Sequence, residues 1–488
     1  MSLVLLVTLL GSLIAFLTYR YLIYPLLFSP LRKIPKAHWS SGICPLWIAY
    51  YRRGGSQAIP AISKAHAQKG PIVLLGPNEL SVASFEGANK VYIERGGFAK
   101  PRWWAELFTS YGVINMTSMQ GGIGNRAHAE RKRDMGNIYA KSFLMKNEQM
   151  AQVCRKHLGQ MHTALDKVVA EEKGVLDVYS FNAAVNADFI SAFQFGIEAG
   201  TKFTEDAAAR EAYFYNHSIW LKGKSGAAAG QRYLEQFGYS RVNATETQLE
   251  EGKGQSDAIV YQQLRARGLE GNELASEVLD HFIAGAEAPR TVCTYMQWEL
   301  SKNPDIQDRL RKEVSTLWNA QNHGGNGVDL PDFKALDALP LLEGVLMETM
   351  RLYTPTPGPQ HRLTPPGGTT IHDHFIPGAL AISATLAVLH NNPSVFPDPE
   401  QWRPDRWMTN DQSKLEEMRK WFWAFSKGSR SCIGKDFTLL VMKLTTAAIY
   451  SRYTTSVVED SGMEQEDLFL AGPVGEKLIL KFQPVIDM

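Results

Sequence analysis

The chain has 488 residues, a formal net charge of +1 and 21% charged residues. So even a balance excludes a nucleic-acid binder driven by bulk positive charge. Its four cysteines, Cys44, Cys154, Cys293 and Cys432, form no Cys-x-x-Cys pair. That excludes a zinc site of that spacing and a disulfide framework, and it fits a reducing compartment.

In chain order, Met1 to Tyr19 is uncharged and rich in Leu, Val, Ile and Phe. As a helix it spans roughly 28 Å, close to the thickness of a bilayer core. A second apolar run, Tyr21 to Phe28, follows Arg20, and the basic residues Arg32, Lys33 and Lys36 come after it. A cleaved signal peptide wants a basic start and a small-residue cleavage site, and neither is present. Residues 1–28 are therefore expected to be an uncleaved transmembrane anchor. The positive-inside rule puts the rest of the chain in the cytosol. Residues 29–40, with Pro30 and Pro35, are expected to be a stiff basic hinge facing the headgroups. Residues 41–488 follow as the main domain.

Pro71 to Ser84 has two β-rich runs around Gly76-Pro77-Asn78, a hairpin signal. Trp103, Trp104, Phe108, Tyr111 and Met116 follow without clear periodicity. His128 and Lys132 have the i, i+4 spacing of one helix face, with Arg131 beside them. Residues 140–270 read as successive helices. Gly223 to Gly230 lacks both the spacing and the preceding strand of a phosphate loop, and reads as a plain loop. Leu279 to Leu300 reads as a long helix interrupted around Ala284-Gly285-Ala286-Glu287-Ala288-Pro289. Pro289 deprives the Gly285 carbonyl, four residues back, of its helical donor. Asn303-Pro304-Asp305 is a helix start. Glu348-x-x-Arg351 is a charge pair on one helix face, and Pro355 to Arg362 is extended and proline-fixed.

The most specific stretch lies near the carboxyl end: Phe425-x-x-Gly428-x-Arg430-x-Cys432-x-Gly434. A thiolate that holds a haem iron needs a tight turn, backbone N–H groups aimed at sulfur, and a cation for the propionates. Gly428 and Gly434 supply permissive backbone, Arg430 the cation, and Phe425 a water-excluding neighbour. The following run, Lys435 to Leu444, reads as a helix whose amino-terminal dipole lowers a thiol pKa.

These five positions match the haem-binding signature of the cytochrome P450 family, and the chain resembles that family from about Pro30 to its end. The resemblance implies one large, mainly α domain with small β-sheets, the cytochrome P450 fold, preceded by one transmembrane helix. It implies haem b (iron protoporphyrin IX) held by Cys432. Propionate partners would be Arg430, Arg362 and Lys132, with His128 on the same helix face and Arg131 as substitute. It also implies a buried network of Glu348, Arg351 and Arg406, with Asp405 where Glu is more usual. The aromatic stretch around Trp103, the Thr356 to Pro359 run and the Phe469 to Gly472 tip would surround the pocket.

The long helix would activate oxygen. It keeps Gly285 and the acid Glu287 but has Ala288 where the family carries a hydroxyl. Glu287 and the freed Gly285 carbonyl are therefore expected to position the proton-donating water. Pro365-Pro-Gly-Gly and Phe396-Pro-Asp-Pro look most like filamentous-fungal members of secondary metabolism. The implied enzyme is a monooxygenase of a small apolar organic substrate in the endoplasmic reticulum membrane. Its electrons would come from an NADPH-dependent cytochrome reductase, with cytochrome b5 as a further candidate. Lys427, Lys435, Arg419 and Lys420 are expected to form a basic docking face. Two other readings stay open: a member that isomerises, dehydrates or couples its substrate without inserting oxygen, and a non-catalytic haem sensor.

Overall fold

The computed structural model describes residues 3–53, 57–122, 126–252, 257–318 and 329–485. Met1 and Ser2 of the expected anchor lie outside these residues. The fold is built around the helix Gly271–Lys302, which is 32 residues long. It packs along the helix Val178–Phe195, most of whose side chains are buried. Apolar residues cover the long helix on several sides, among them Leu279, Phe282, Val292 and Met296. That burial explains a departure from expectation: the helix is not interrupted at Pro289 but runs through it. A proline removes one backbone bond and kinks an isolated helix. Here packing on both sides of Pro289 keeps the helical path.

The expected hairpin forms. Ile72–Gly76 pairs antiparallel with Glu79–Val82, and the register shifts between Leu74 and Gly76. Ala381–Ala384 joins the second strand in parallel, and Arg362–Leu363 pairs antiparallel with it. The sheet thereby brings Arg362 from a distant segment toward the core. A second sheet joins Val175–Asp177, Ile479–Pro484 and Tyr453–Glu459. Asn115 of the sequon Asn115-Met-Thr is buried, which denies it to a glycosyltransferase.

The amino-terminal helix Leu3–Thr18 continues into a π-helical segment, Tyr19–Phe28, that contains Pro25. Together Val4–Phe28 forms a 25-residue apolar helix with none of its surface buried against the protein. The segment that follows is docked rather than free. Leu31 and Ile34 are buried in the core beneath the first sheet. Ala37 N donates to Leu74 O at 3.0 Å, and Leu74 N to Pro35 O at 2.8 Å. The expected hinge is therefore an added edge of the sheet.

The Glu348 network forms as expected, with Glu348 and Arg351 fully buried. Arg351 Nε and Nη2 donate to the two Glu348 oxygens, each at 2.9 Å, and Arg406 Nε donates to Oε1 at 2.8 Å. Trp407 Nε1 adds a fourth bond at 2.9 Å. Asp405 instead points outward, to Arg309. Arg403 N donates to Glu348 Oε1 as well, at 3.0 Å, and with five donors around one carboxylate the desolvation of the charges is offset by geometry.

Candidate active site

The cysteine loop is tied to this network through one ring. His390 Nδ1 lies 3.0 Å from the Arg351 carbonyl, and His390 Nε2 accepts from Trp423 N at 2.8 Å. From Trp423 the chain turns sharply. Ser426 has φ 54° and Gly428 φ 75°. A side chain at Gly428 would also collide with the Tyr92 carbonyl, so the left-handed turn and the close approach both require glycine. Gly434 differs from expectation. Its φ is −79°, and a Cβ there would sit 4.0 Å from Cys432 Sγ, so this glycine leaves room in front of the sulfur.

Cys432 N donates to Phe425 O at 2.9 Å, closing the loop, and the helix Lys435–Arg452 begins directly after Gly434. The expected lowering of the thiol pKa is outweighed. Burial pushes it up, while the Gly434 N–H and the Lys132 ammonium oppose that rise. The side chain is exposed only in the sense that it faces an internal cavity.

That cavity holds about 320 Å³. Cys432 and Phe425 line it together with Ala284, Gly285, Ala288 and Pro289 of the long helix. Small apolar residues in the same cavity as a sulfur suit an apolar group. At Gly285 a Cβ would strike the Ile190 side chain, so glycine lets the two helices close at that point.

Five cationic or basic side chains reach the same cavity: Lys100, His128, Lys132, His281 and Arg430. Arg362 stands behind them, buried, 5.0 Å from the Tyr92 ring. The group repels itself. Burial, then Arg430 and Lys132, push His128 down to about 3. Burial and Arg362 bring Arg430 down to about 10. Burial, Arg362 and Arg430 also hold Lys100 well below the ordinary lysine range. Among the cavity-lining residues only Asp280 is a carboxylate. Buried positive charge in such excess calls for an anionic partner. A flat macrocycle with two carboxylates fits both the walls and this deficit.

His128 and Lys132 share a face as their spacing implies. Lys132 Nζ donates to Ser431 Oγ at 3.0 Å and to Ser429 O at 3.3 Å, bracing the cysteine loop. Arg131 is not among the cavity cations. One residue of helix is about 100° of rotation, and it turns Arg131 to Glu277 at 2.9 Å.

Glu287 is also absent from the cavity. Its Oε1 lies 3.0 Å from His217 Nδ1, and Arg290 Nη1 lies 3.3 Å from its Oε2. It borders a separate polar cavity beside Tyr179. The expected acid beside the Cys432 site is thus displaced to the far side of the helix, while Gly285 stays on the near side.

Lys100 and Asp280 were missed by sequence reasoning. Lys100 sits in Phe98-Ala-Lys-Pro, which carries no pattern. Asp280 had a usable signal, because it precedes Ala284 and Ala288 at successive four-residue steps and therefore shares their face. The aromatic wall is as expected: Trp104 and Phe469 stack edge to face at 4.9 Å, and both line the cavity.

A helical fold in which a cysteine loop faces a cation-rimmed, flat cavity under a long helix defines a haem-thiolate protein. The cytochrome P450 family model matches residues 47–480, and the chain belongs to that family. It is accordingly a haem-dependent monooxygenase in class. Among similar curated proteins is the cytochrome P450 monooxygenase tazI of Aspergillus terreus, 28% identical over 86% of this chain and 87% of its own. The cytochrome P450 monooxygenase avaI of Aspergillus versicolor is 27% identical over 78% of this chain and 94% of its own. A third, aba2 of Botryotinia fuckeliana, is 24% identical over 89% and 85%.

Proposed function

We propose that this protein is a haem b monooxygenase of fungal secondary metabolism that inserts one atom of O₂ into a largely apolar metabolite. The observation that carries this is a cavity lined by Cys432, by Ala284 and Ala288 of the long helix, and by Lys100, Lys132 and Arg430, which form no ion pair with a carboxylate among the described residues. Cys432 would bind the iron. Arg430, Arg362, Lys132 and Lys100 would hold the propionates, with His128 between them. Bound haem would supply oxygen activation, which thiolate donation favours. Phe425 keeps water from the sulfur, and Trp104 and Phe469 close the cavity above the stripe.

The helix Val4–Phe28 would anchor the chain in the endoplasmic reticulum membrane, with residues 41–488 in the cytosol. Electrons would come from an NADPH-dependent cytochrome reductase, with cytochrome b5 as a second donor. Arg419 and Lys435 are exposed, flanking the cysteine loop in sequence. Lys420 already pairs with Glu417, and Lys427 donates to the Arg419 carbonyl, so these two contribute less to a docking face than expected.

A second reading, isomerisation, dehydration or coupling without oxygen insertion, draws support from one place. Ala288 has no hydroxyl, and Glu287 faces away. A reduced carbon-monoxide difference spectrum, followed by turnover under ¹⁸O₂ with NADPH and reductase, separates the readings. Label in the product supports the first, and an unlabelled product overturns it in favour of the second. A carbon-monoxide band without any product points to a sensor.

A further inference from the structure

Asp280 stands one turn before Ala284 and lines the same cavity as the Cys432 sulfur. Thr117 knots this corner together. Its hydroxyl and backbone N–H donate to the Asp280 carboxyl. Its carbonyl accepts from Lys100 Nζ and from Trp104 Nε1, each at 3.1 Å. Lys100 Nζ also sits 4.1 Å from the Trp104 ring centroid. Lys100 and Trp104 are thus engaged with Thr117, whereas the carboxyl is only partly engaged. An ionised carboxylate offers about four acceptor sites, and Thr117 fills two. Asp280 lines the cavity, and an unpaired acceptor there costs free energy.

We propose that Asp280 is a substrate-positioning residue that accepts a hydrogen bond from a neutral donor, a hydroxyl or an amide N–H, carried by an otherwise apolar substrate. This rests on the monooxygenase reading and narrows its substrate class. Burial raises the Asp280 carboxyl to about 6, which leaves it mostly ionised at neutral pH and a strong acceptor. The adjacent Lys100 favours a neutral donor over an ammonium, because it would repel a second cation at the Asp280 carboxyl. A pure hydrocarbon would leave the open acceptor sites unmatched.

Calorimetric titration of the full-length, haem-loaded protein in detergent tests this. The probes are a polycyclic terpene alcohol with its methyl ether, a cyclic dipeptide with its N-methylated form, and a terpene ammonium. A hydrogen bond to a charged acceptor corresponds to about tenfold or more in affinity. The donor-bearing member of at least one pair should bind tighter by that factor. Asp280→Leu should erase the difference while keeping the methylated member within about twofold. Asp280→Asn, which preserves shape, should reduce it several-fold and serves if the leucine variant does not fold. Equal binding within both pairs, no binding by either pair, a preference that survives these variants, or tighter binding of the ammonium overturns the proposal. Heat of binding is read without turnover. Failure of the monooxygenase reading, seen as a missing carbon-monoxide band or unlabelled product, is therefore distinguished from loss of the donor preference.

Discussion

Glu287 Oε1 lies 3.0 Å from His217 Nδ1, on the opposite side of the long helix from the cavity that its neighbour Ala288 lines. Arg290, Tyr179 and His217 enclose the carboxylate there, with the Arg290 guanidinium 3.6 Å from the Tyr179 ring. Burial alone would raise its pKa, but His217 and Arg290 outweigh that and hold it down at about 2. Near neutral pH it is a fixed anion and no proton donor.

Glu287→Gln should therefore act on stability rather than on coupling. Removing one charge from a buried pair leaves Arg290 uncompensated, a loss of roughly 3–5 kcal/mol. Urea unfolding should show that loss, while product formed per NADPH stays unchanged; a rise in peroxide release would restore Glu287 to proton delivery. The sign of the pH effect follows from the depressed carboxyl. Its stabilisation is complete above the ordinary glutamate range and is lost as pH falls toward about 2. The variant should lack that acid-labile part of the stability.

Cys432→Ser removes the thiol proposed to bind the iron and keeps the turn, because the backbone N of residue 432 still bonds Phe425 O. The reduced carbon-monoxide band at the long wavelength of thiolate haems should vanish, along with turnover. Retention of that band would mean that another residue binds the iron.

Glu348→Gln and Arg406→Ala break a network in which Glu348 and Arg351 are fully buried. Each should lose roughly 3–5 kcal/mol in urea unfolding and release haem more readily. Haem release would follow because Arg351 and His390 hold the start of the cysteine loop. Asp405→Asn provides the contrast. Its partner Arg309 is about half exposed, so the change should stay within ~0.5 kcal/mol.

Deleting residues 1–28 should move the protein from the membrane fraction toward the soluble one without lowering its melting temperature. Deleting residues 1–36 removes Leu31 and Ile34 from the core as well. At about 1.5–3 kcal/mol for each buried side chain, that should lower stability by roughly 3–6 kcal/mol. Equal melting temperatures for the two truncations would contradict the docking of this segment on the sheet.

The sequence by itself determined the parts whose chemistry is local. Gly428, Arg430 and Cys432 had to fall within one turn for the loop to exist, so their spacing carried the site. Glu348 and Arg351 had to share a helix face, and His128 and Lys132 likewise. Tertiary structure alone decided which way the long helix presents its polar residues. A helix buried on several sides has no solvent face to orient it, so the direction of Glu287 was set by the partners packed against it. His217 and Arg290 settled that, the first arriving from a separate helix. Arg131 left the cavity because Glu277 lay across from it, and Lys100 entered because Thr117 offered its carbonyl. In a low-dielectric interior a charge goes where its counter-charge and hydrogen bonds are, and those partners are assembled only when the chain folds.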